Sequence, residues 1–363
     1  GEYHFDYDEE GRVIIIGVPN DTSGSYDYDD NGRITKVNLL RHDGSTIAKY
    51  VYDYDANNNR TKVTDHTGKT IHYTYDEQDQ LLSETDPVTG NTIRYTYDAV
   101  GNRTSKVIRD PRGNQLFAVK YLYNEANQLI QVQDQPFTYD THGNLTHDGT
   151  KKYLWDHAGR LIEIQNKENT TIATFIYDEE GRRIQSTLYG KVTNYVYDGD
   201  SIDVLYETNQ RNQITCMYTR SATGQLLSMT KASGETYYYH YNAHEDVIAI
   251  TDQSHQTVAT YVYDAWGNIL EQQGPFASEN PYRYAGYRYD EATRLYYLTA
   301  RYYNPRTGTF LSLDPAPGEL EDIHTQNGYC YVGNNPVMQA DPSGEFFWFA
   351  VNAAFAAYDG YQA

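Results

Sequence analysis

One short pattern recurs along almost the whole chain: an aromatic residue and an aspartate, then a turn-forming cluster, then an aliphatic residue. It takes the form YDEEGRV at Tyr7, YDDNGRI at Tyr28 and YDAVGNR at Tyr97, and successive copies lie 16 to 26 residues apart. A repeat of near-constant length is typical of a protein built from many copies of one supersecondary unit. Differences in length between the copies are expected to lie in the loops. The fourteen copies begin at Tyr7, Tyr28, Tyr54, Tyr75, Tyr97, Tyr123, Tyr139, Trp155, Tyr177, Tyr197, Tyr218, Tyr241, Tyr263 and Tyr289.

The residues before each turn alternate in type, which predicts β-strands. Tyr95 and Tyr97 are two positions apart, and Arg94, Thr96 and Asp98 flank them. Period two places the tyrosines on one strand face and their neighbours on the other. The aspartate can hydrogen-bond its own backbone, and the following Gly or Asn tolerates positive φ, so the cluster predicts a tight turn. Each copy is therefore predicted to be a β-hairpin.

The number of hairpins predicts a curved sheet. Fourteen hairpins supply about 28 strands, and at ~4.8 Å per strand a single sheet would be roughly 130 Å wide. Strand twist prevents such a sheet from staying flat, and one full coil would have a diameter of roughly 40 Å, too wide for side chains to fill. The expected fold is all-β, a spiralling antiparallel sheet of hairpins that forms an open or partial hollow shell. The first strand, near residues 3–7, is expected to be a free edge.

The composition agrees with a shell. The chain has 39 tyrosines but only 10 phenylalanines and 3 tryptophans. Tyrosine combines an apolar ring with a polar tip, so it can line a wall that is packed on one side and wet on the other.

The charge and the motifs exclude several classes of function. Fifty acidic residues against 29 basic ones give a net charge of -21, which repels phosphate backbones and anionic lipid. No nucleic-acid partner is expected, and no run of apolar residues is long enough to span a membrane. The chain lacks HExxH, GxSxG and CxxC patterns, so neither a metal nor another cofactor is expected. Cys216 and Cys330 lie far apart and are expected to be unpaired thiols.

One segment resembles half of a calcium-binding loop. DYDDNG, at residues 27–32, has the Asp-x-Asp-x-Asn-Gly spacing, but Asn38 stands where such a loop needs a bidentate glutamate. The flanking segments are predicted strands, so this stretch is interpreted as a hairpin turn.

After residues 272–281 the repeat gives way to a different stretch. It runs NPYRYAGYRYDEATRLYYLTARYYNPRTGTFLSLDP and, further on, NGYCYVGNNPVMQADPSG, which ends at Gly344. This stretch resembles the core boundary of bacterial Rhs and YD-repeat proteins, and with the upstream repeats the resemblance covers residues 1–344. The wording YAGYRYDE and ARYYNPRTG is most similar to wall-associated and secreted members from Gram-positive bacteria. The resemblance therefore implies a secreted or cell-wall-associated protein.

The resemblance also implies a function and a domain organisation. In the family, a β-cage closed by the core segment encloses a variable toxin that follows the DPxG motif, and related shells occur in toxin-complex C subunits and in teneurins. The expected domains are a repeat shell at 1–275, a core-associated plug at 276–344, and the start of a helical linker or toxin segment at 345–363. Apolar residues spaced three and four apart from Phe346 predict the helix. The expected partners are the chain's own C-terminal toxin and a secretion or wall protein. The alternative is a non-enzymatic surface scaffold for adhesion.

Family members can cut themselves near DPxG as intramolecular aspartyl proteases. The sequence predicts at most this self-cleaving activity and no other enzymatic function. Such chemistry needs one carboxyl group that holds a proton and another that activates water. The resemblance implies Asp314 as the first candidate, Asp341 or Asp322 as its partner, and Arg301 as the orienting charge. Asp-Pro is also an ordinary turn sequence, so a structural role for these residues remains the alternative.

Two positions depart from the family pattern. Thr309 replaces an arginine, and Glu345 replaces the leucine that commonly follows DPxG. A negative charge beside two acids, in a pocket suited to an apolar group, predicts that cleavage is impaired, or is shifted to follow Phe346 or Phe347.

Overall fold

The computed structural model describes residues 2–315 and 326–345, together with the backbone of Trp348–Phe349. These residues form antiparallel strands in four sheets, with two short 3-10 turns. The predicted all-β class is confirmed. None of the helical turns among the described residues has the length and apolar composition that crossing a membrane requires.

The hairpins form two large meandering sheets, in each of which every strand pairs with the next one along the chain. The first sheet contains β1 His4–Tyr7, β2 Val13–Gly17, β3 Ser23–Tyr28, β4 Ile34–Leu40, β5 Thr46–Tyr54, β6 Arg60–Asp65, β7 Thr70–Tyr75, β8 Leu81–Thr85, β9 Thr92–Tyr97, β10 Arg103–Arg109, β11 Gln115–Tyr123, β12 Leu129–Val132 and β13 Gln135–Pro136. The second contains β14 Thr138–Tyr139, β15 Leu145–His147, β16 Lys151–Trp155, β17 Leu161–Asn166, β18 Thr171–Tyr177, β19 Arg183–Leu188, β20 Lys191–Tyr197, β21 Val204–Thr208, β22 Ile214–Arg220, β23 Leu226–Lys231, β24 Thr236–Tyr241, β25 Val247–Asp252, β26 Thr257–Tyr263 and β27 Ile269–Gln273.

The division into two sheets departs from the single sheet that the repeat count predicts. The break falls between Pro136 and Thr138, where the strands have only two or three residues. Pro136 has no N–H to donate to a further strand, so it is suited to the edge that it occupies. The repeats around the break are also the shortest in the chain, 16 residues each, which leaves little length for pairing.

The turns have the predicted chemistry. Asp29 Oδ1 accepts hydrogen bonds from the backbone N–H groups of Asn31 and Arg33, and Gly32 has φ of 75°. The Arg33 guanidinium is paired with Asp29 and lies 4.7 Å from the centre of the Tyr54 ring. This segment is thus the hairpin turn that the sequence predicts, and an arginine of one hairpin packs on a tyrosine of the next.

Each sheet has two chemically different faces, as the alternation predicts. Tyr95 is 2% exposed and Tyr97 is half-buried, whereas Arg94 and Thr96 are exposed. The face that carries the repeat tyrosines is called the tyrosine face below, and the other the opposite face.

The two sheets overlap, an arrangement that the sequence did not predict. The tyrosine face of β2–β5 packs on the opposite face of β23–β25, and hydrogen bonds join the layers from Tyr3 to Ser228 (2.5 Å) and from Asn20 to Thr251 (3.0 Å). The buried apolar residues at this interface are Val13, Ile16, Tyr26, Val37 and Leu39 from the first sheet and Leu227, Ile248 and Ala249 from the second.

Neither large sheet closes on itself within the described residues, so the predicted open shell is confirmed. The strand β1 pairs with β2 alone among the described strands, and it is the free edge that the sequence predicts.

The motif-dense stretch packs against both sheets. It forms β28 Arg288–Asp290, β29 Leu295–Leu298, β30 Arg301–Asn304 and β31 Thr309–Phe310, 3-10 turns at Tyr284–Gly286 and Val332–Asn334, and a pair of short strands, β32 Gln339–Ala340 and β33 Trp348–Phe349. Tyr302 contacts Phe175 of the second sheet, and Met338 packs with Leu81 of the first. Both cysteines are free thiols, as expected.

The helix predicted after Gly344 lies mostly outside the described residues. Trp348 and Phe349, which the prediction placed in this helix, pair instead with Gln339–Ala340 as a strand.

Candidate functional site

Arg301 lies at the centre of a buried charged cluster. It begins β30, and its side chain is 3% exposed. One terminal guanidinium nitrogen lies 2.7 Å from Asp314 Oδ2 and 3.4 Å from Asp341 Oδ2. The Phe310 ring packs beneath the guanidinium, 3.6 Å from its central carbon. A single cation thus holds two carboxylates that are 27 residues apart in sequence.

The same guanidinium binds backbone carbonyls. Its Nε donates a hydrogen bond to the carbonyl oxygen of Gly344, and its other terminal nitrogen donates to that of Gly328 (3.0 Å). The backbone N–H of Asp314 also donates to Gly328 O (3.0 Å). Arg301 therefore fixes the end of the DPSG segment beside Asp314.

Asp341 closes the DPSG turn. Its Oδ1 accepts hydrogen bonds from the backbone N–H groups of Gly344 (2.8 Å) and Glu345 (3.2 Å), and its own N–H donates to the Tyr287 hydroxyl (2.6 Å). Burial raises the pKa of Asp341 to about 6, and although Arg301 opposes this rise, the charge of Asp314 adds to it. Asp341 therefore remains protonated at a pH where an ordinary aspartate is ionised.

Gly344 has no space for a side chain. Its φ is 78°, and a Cβ atom would lie 2.6 Å from Leu298 O and 3.0 Å from Arg301 N. Both neighbours are backbone atoms of β29 and β30 and cannot rotate away. Glycine is thus required for the carbonyl to reach Arg301.

A large cavity adjoins the site. It has a volume of about 1010 Å³, and its lining includes Tyr287, Ser343 and Glu345 from the site. Arg288 of β28 and Glu245, in the turn after β24, line it as well. The chain after the DPSG motif thus starts at a cavity between the core segment and the tyrosine face of the second sheet.

The structure brings together three of the four residues that the sequence singled out: Arg301, Asp314 and Asp341. Asp322 lies outside the described residues. Sequence reasoning missed Tyr287, Gly328 and Phe310 as parts of this site. All three lie within the motif-dense stretch. The high density of motifs there was the sequence signal that could have identified them as parts of the site.

The Teneurin YD-shell family model matches residues 1–86 and 67–337. The chain belongs to the YD-shell family. It is also similar to named toxins, so this YD shell is of the toxin-associated kind.

Two of these relatives are WapA nucleases. The chain is 48% identical to the tRNA3(Ser)-specific nuclease WapA of Bacillus spizizenii and to the tRNA nuclease WapA of Bacillus subtilis, over 99% of its length in each case. It spans 15% of the length of each nuclease. The double-stranded DNA deaminase toxin A of Burkholderia cenocepacia is 24% identical over 81% of the chain, which matches 22% of that toxin.

Solved toxin complexes share the fold. The TcdB2-TccC3-Cdc42 complex superimposes with a TM-score of 0.76 at 21% identity, over 96% of this chain and 20% of that one. A Photorhabdus luminescens Tc holotoxin pore gives the same TM-score at 20% identity, over 94% of this chain and 19% of that one. At this level of identity the similarity concerns the fold alone.

Proposed function

We propose that this chain is the shell and core segment of a secreted or wall-associated bacterial toxin, which encloses the start of its C-terminal toxin and helps to deliver it. The family and the toxin relatives support a toxin-associated shell. The cavity beside Glu345 supports a place for the chain that follows the DPSG motif. In this proposal residues 1–275 are the shell, 276–344 the plug, and 345–363 the start of a linker or toxin segment. The partners are the toxin itself and a secretion or wall protein.

We further propose that the core segment cuts the chain near the DPSG motif. One observation carries this step: Arg301 binds Asp314, Asp341 and the carbonyl of Gly344 at the same time. Two carboxyl groups beside a fixed and polarised backbone segment are the arrangement that aspartyl proteolysis requires.

In the proposed reaction, ionised Asp314 accepts a proton from a water molecule, whose oxygen attacks a backbone carbonyl carbon in residues 344–347. Protonated Asp341 gives its proton toward the reacting peptide group. The C–N bond then breaks, the carbonyl carbon keeps the water oxygen as a new carboxyl group, and the nitrogen leaves as an amine. The donors of Arg301 fix the segment and offset the negative charge that develops on oxygen.

Glu345 makes this cleavage slow at the bond that directly follows residue 345. It adds a third carboxylate within the turn that Asp341 closes, where its backbone N–H is bonded to Asp341 Oδ1. Another negative charge beside the reacting group opposes the negative charge that develops on oxygen and raises the barrier. The family's apolar residue would avoid this repulsion.

Mass spectrometry of the purified protein, expressed at its natural length, tests the proposal. We expect slow cutting after residues 344–347 that Asp314→Asn and Asp341→Asn abolish. The matched control is Asp86→Asn, since Asp86 also precedes a proline and accepts hydrogen bonds from the N–H groups of Val88 and Thr89 (2.8 Å each) in an ordinary turn. Cutting that survives Asp314→Asn would exclude the role of Asp314, and efficient cutting directly after Glu345 would exclude the impairment.

A further inference from the structure

The hairpin turn after β24 carries its charges in reversed order. In the turn after β3, Asp29 directly follows the last tyrosine of the strand and Arg33 stands four residues further on. In the turn after β24, Asn242 takes the first of these positions and Asp246 takes the second. A carboxylate in place of an arginine favours a cation nearby, and His244 lies between the two.

The hydrogen bonds around Asp246 show that its carboxyl group is ionised. Asn242 Oδ1 accepts hydrogen bonds from the backbone N–H groups of His244 (2.9 Å) and Asp246 (3.0 Å), so the Asn242 Nδ2 atom must donate the bond of 2.7 Å to Asp246 Oδ2. The backbone N–H of Ala285 donates to Asp246 Oδ1 (2.8 Å). Both oxygens are therefore acceptors. Although burial opposes ionisation, His244 and these hydrogen bonds hold the pKa of Asp246 below its ordinary value.

His244 lies between two hydrogen-bond acceptors. Its Nδ1 atom is 2.9 Å from Asp246 Oδ1, and its Nε2 atom is 3.1 Å from the carbonyl oxygen of Gln339. Neither a carbonyl oxygen nor an ionised carboxylate can donate a hydrogen bond, so each ring nitrogen must carry a proton. The His244 side chain is 4% exposed, and its ring centre lies 5.1 Å from that of Tyr284. A buried imidazolium thus joins a turn of the second sheet to strand β32 of the core segment.

His142 occupies the same position in another turn but is not buried. It follows β14, and its backbone N–H donates to Asp140 Oδ1 (2.9 Å), as that of His244 donates to Asn242 Oδ1. The His142 side chain is exposed. The two histidines therefore share a turn geometry and differ in their surroundings, which makes His142 a matched control.

Other titratable groups surround His244. Burial raises the pKa of the neighbouring Glu245 to about 7, a rise that His244 opposes and Asp246 adds to. Glu245 therefore titrates in the range of an ordinary histidine and needs its own control. A cavity of about 250 Å³ adjoins His244 and gives water access for proton exchange. The tyrosines that line it stay neutral up to pH 9, because burial raises their pKa values. Its charged lining from other elements is Arg60, Asp65, Lys69, Asp264 and Glu271.

We propose that His244 is a pH-sensitive latch, which holds β32 and the DPSG turn against the second sheet while both of its ring nitrogens carry protons. When the imidazolium loses one proton, one of its two hydrogen bonds is lost as well, because a bare nitrogen then faces an oxygen lone pair. Gln339 lies two residues before Asp341, so the latch positions the segment that carries this carboxyl group. It acts whether or not the chain is cut.

Nuclear magnetic resonance of protein with labelled histidines tests the number of protons. We expect the ring ¹⁵N resonances of His244, identified by their loss in His244→Gln, to show a bound proton on both nitrogens at pH 6. As the pH rises to 9, one of the two should lose its proton. A His244 ring with one bare nitrogen at pH 6 would overturn the proposal.

Hydrogen exchange of residues 335–345 measures the latch itself. Relative to the intrinsic rate at each pH, we expect this segment to exchange about tenfold or more faster at pH 8.5 than at pH 6 in the wild type. His244→Gln should exchange quickly at both pH values, whereas His142→Gln should match the wild type. Asp246→Asn removes the carboxylate that favours the second proton, so it should also exchange quickly at pH 6, and it provides the measurement if His244→Gln does not fold.

Two outcomes of the exchange experiment would contradict the latch. Exchange in the wild type that does not depend on pH would show that no titrating group holds the segment. Glu245→Gln should keep the pH dependence, and its loss in that variant would assign the titration to Glu245 in place of His244.

Discussion

The carboxylate of Glu84, in the first sheet, accepts a hydrogen bond of 2.7 Å from the backbone N–H of Ala265, in the last turn of the second sheet. Its other oxygen accepts a hydrogen bond of 2.5 Å from the Tyr95 hydroxyl. Glu84 is 1% exposed, and burial, together with the charge of nearby Asp264, raises its pKa to about 7. A group that titrates near neutral pH therefore joins the two layers of the shell.

This contact predicts that the free energy of unfolding falls as pH rises. The pKa of Glu84 is raised in the folded protein, so protonation stabilises the fold. The gain is complete below the unfolded pKa of 4.5 and is lost as the pH rises through the folded pKa of about 7. Between pH 5 and pH 8 we expect a loss of about 1–3 kcal/mol from this group. Glu84→Gln should remove that part of the pH dependence when the free energy of unfolding is measured by chemical denaturation at several pH values. Glu10→Gln, on the surface, should keep the wild-type slope, and an unchanged slope in Glu84→Gln would contradict the assignment.

A buried ion pair fastens the core segment to the second sheet. Arg183 and Asp290 are 0% and 3% exposed, and two parallel hydrogen bonds of 2.5 Å and 3.0 Å join them. Asp290→Ala leaves the guanidinium buried without its counter-ion, so we expect it to lower the free energy of unfolding by about 3–5 kcal/mol. Asp27→Ala breaks the exposed pair with Lys36 and should cost less than about 1 kcal/mol. Denaturant titration of both variants makes the comparison, and similar losses would show that the buried pair is not a structural anchor.

The hairpins and their faces could be predicted because local sequence determines them. Asp29 contacts residues two and four positions ahead, and the alternation around Tyr95 assigns faces without any long-range information. The overlap of the sheets could not be predicted in this way. It depends on contacts such as that between Tyr3 and Ser228, which are 225 residues apart, and no pattern within one repeat records them.

The candidate site could likewise be predicted only in part from the sequence. The resemblance pointed to Asp314, Asp341 and Arg301, and the structure places them in one cluster. It gave no role to Tyr287, whose hydroxyl receives the N–H of Asp341. A tyrosine in a chain with 39 of them carries little information until its partner is known.

Gly344 and Gly11 provide a matched pair of substitutions. Both have φ of 78°, but a Cβ at Gly11 would meet nothing within 4 Å, whereas one at Gly344 would lie 2.6 Å from Leu298 O. Gly11→Ala should lower the free energy of unfolding by about 1 kcal/mol through backbone strain alone. Gly344→Ala should cost more, because the DPSG turn must also move away from β29 and Arg301. Thermal unfolding of the two variants measures the difference, and equal losses would show that the close contact does not constrain the turn.

Substitutions of Glu345 separate the effect of its charge from the effect of a polar side chain in an apolar pocket. If the charge of Glu345 slows cleavage, Glu345→Gln should speed it several-fold, and if an apolar pocket also matters, Glu345→Leu should speed it further. Because Asp341 must hold a proton and its pKa is about 6, cutting should be fast below that pH and should decline as the pH rises through it. Time courses followed by intact-mass spectrometry at several pH values measure both effects, with Asp341→Asn in the Glu345→Leu background as the inactive control. Wild-type protein that is cut as quickly as Glu345→Leu would refute the inhibitory role of Glu345. A rate that rises through pH 6 would instead refute the assignment of Asp341 as the proton donor.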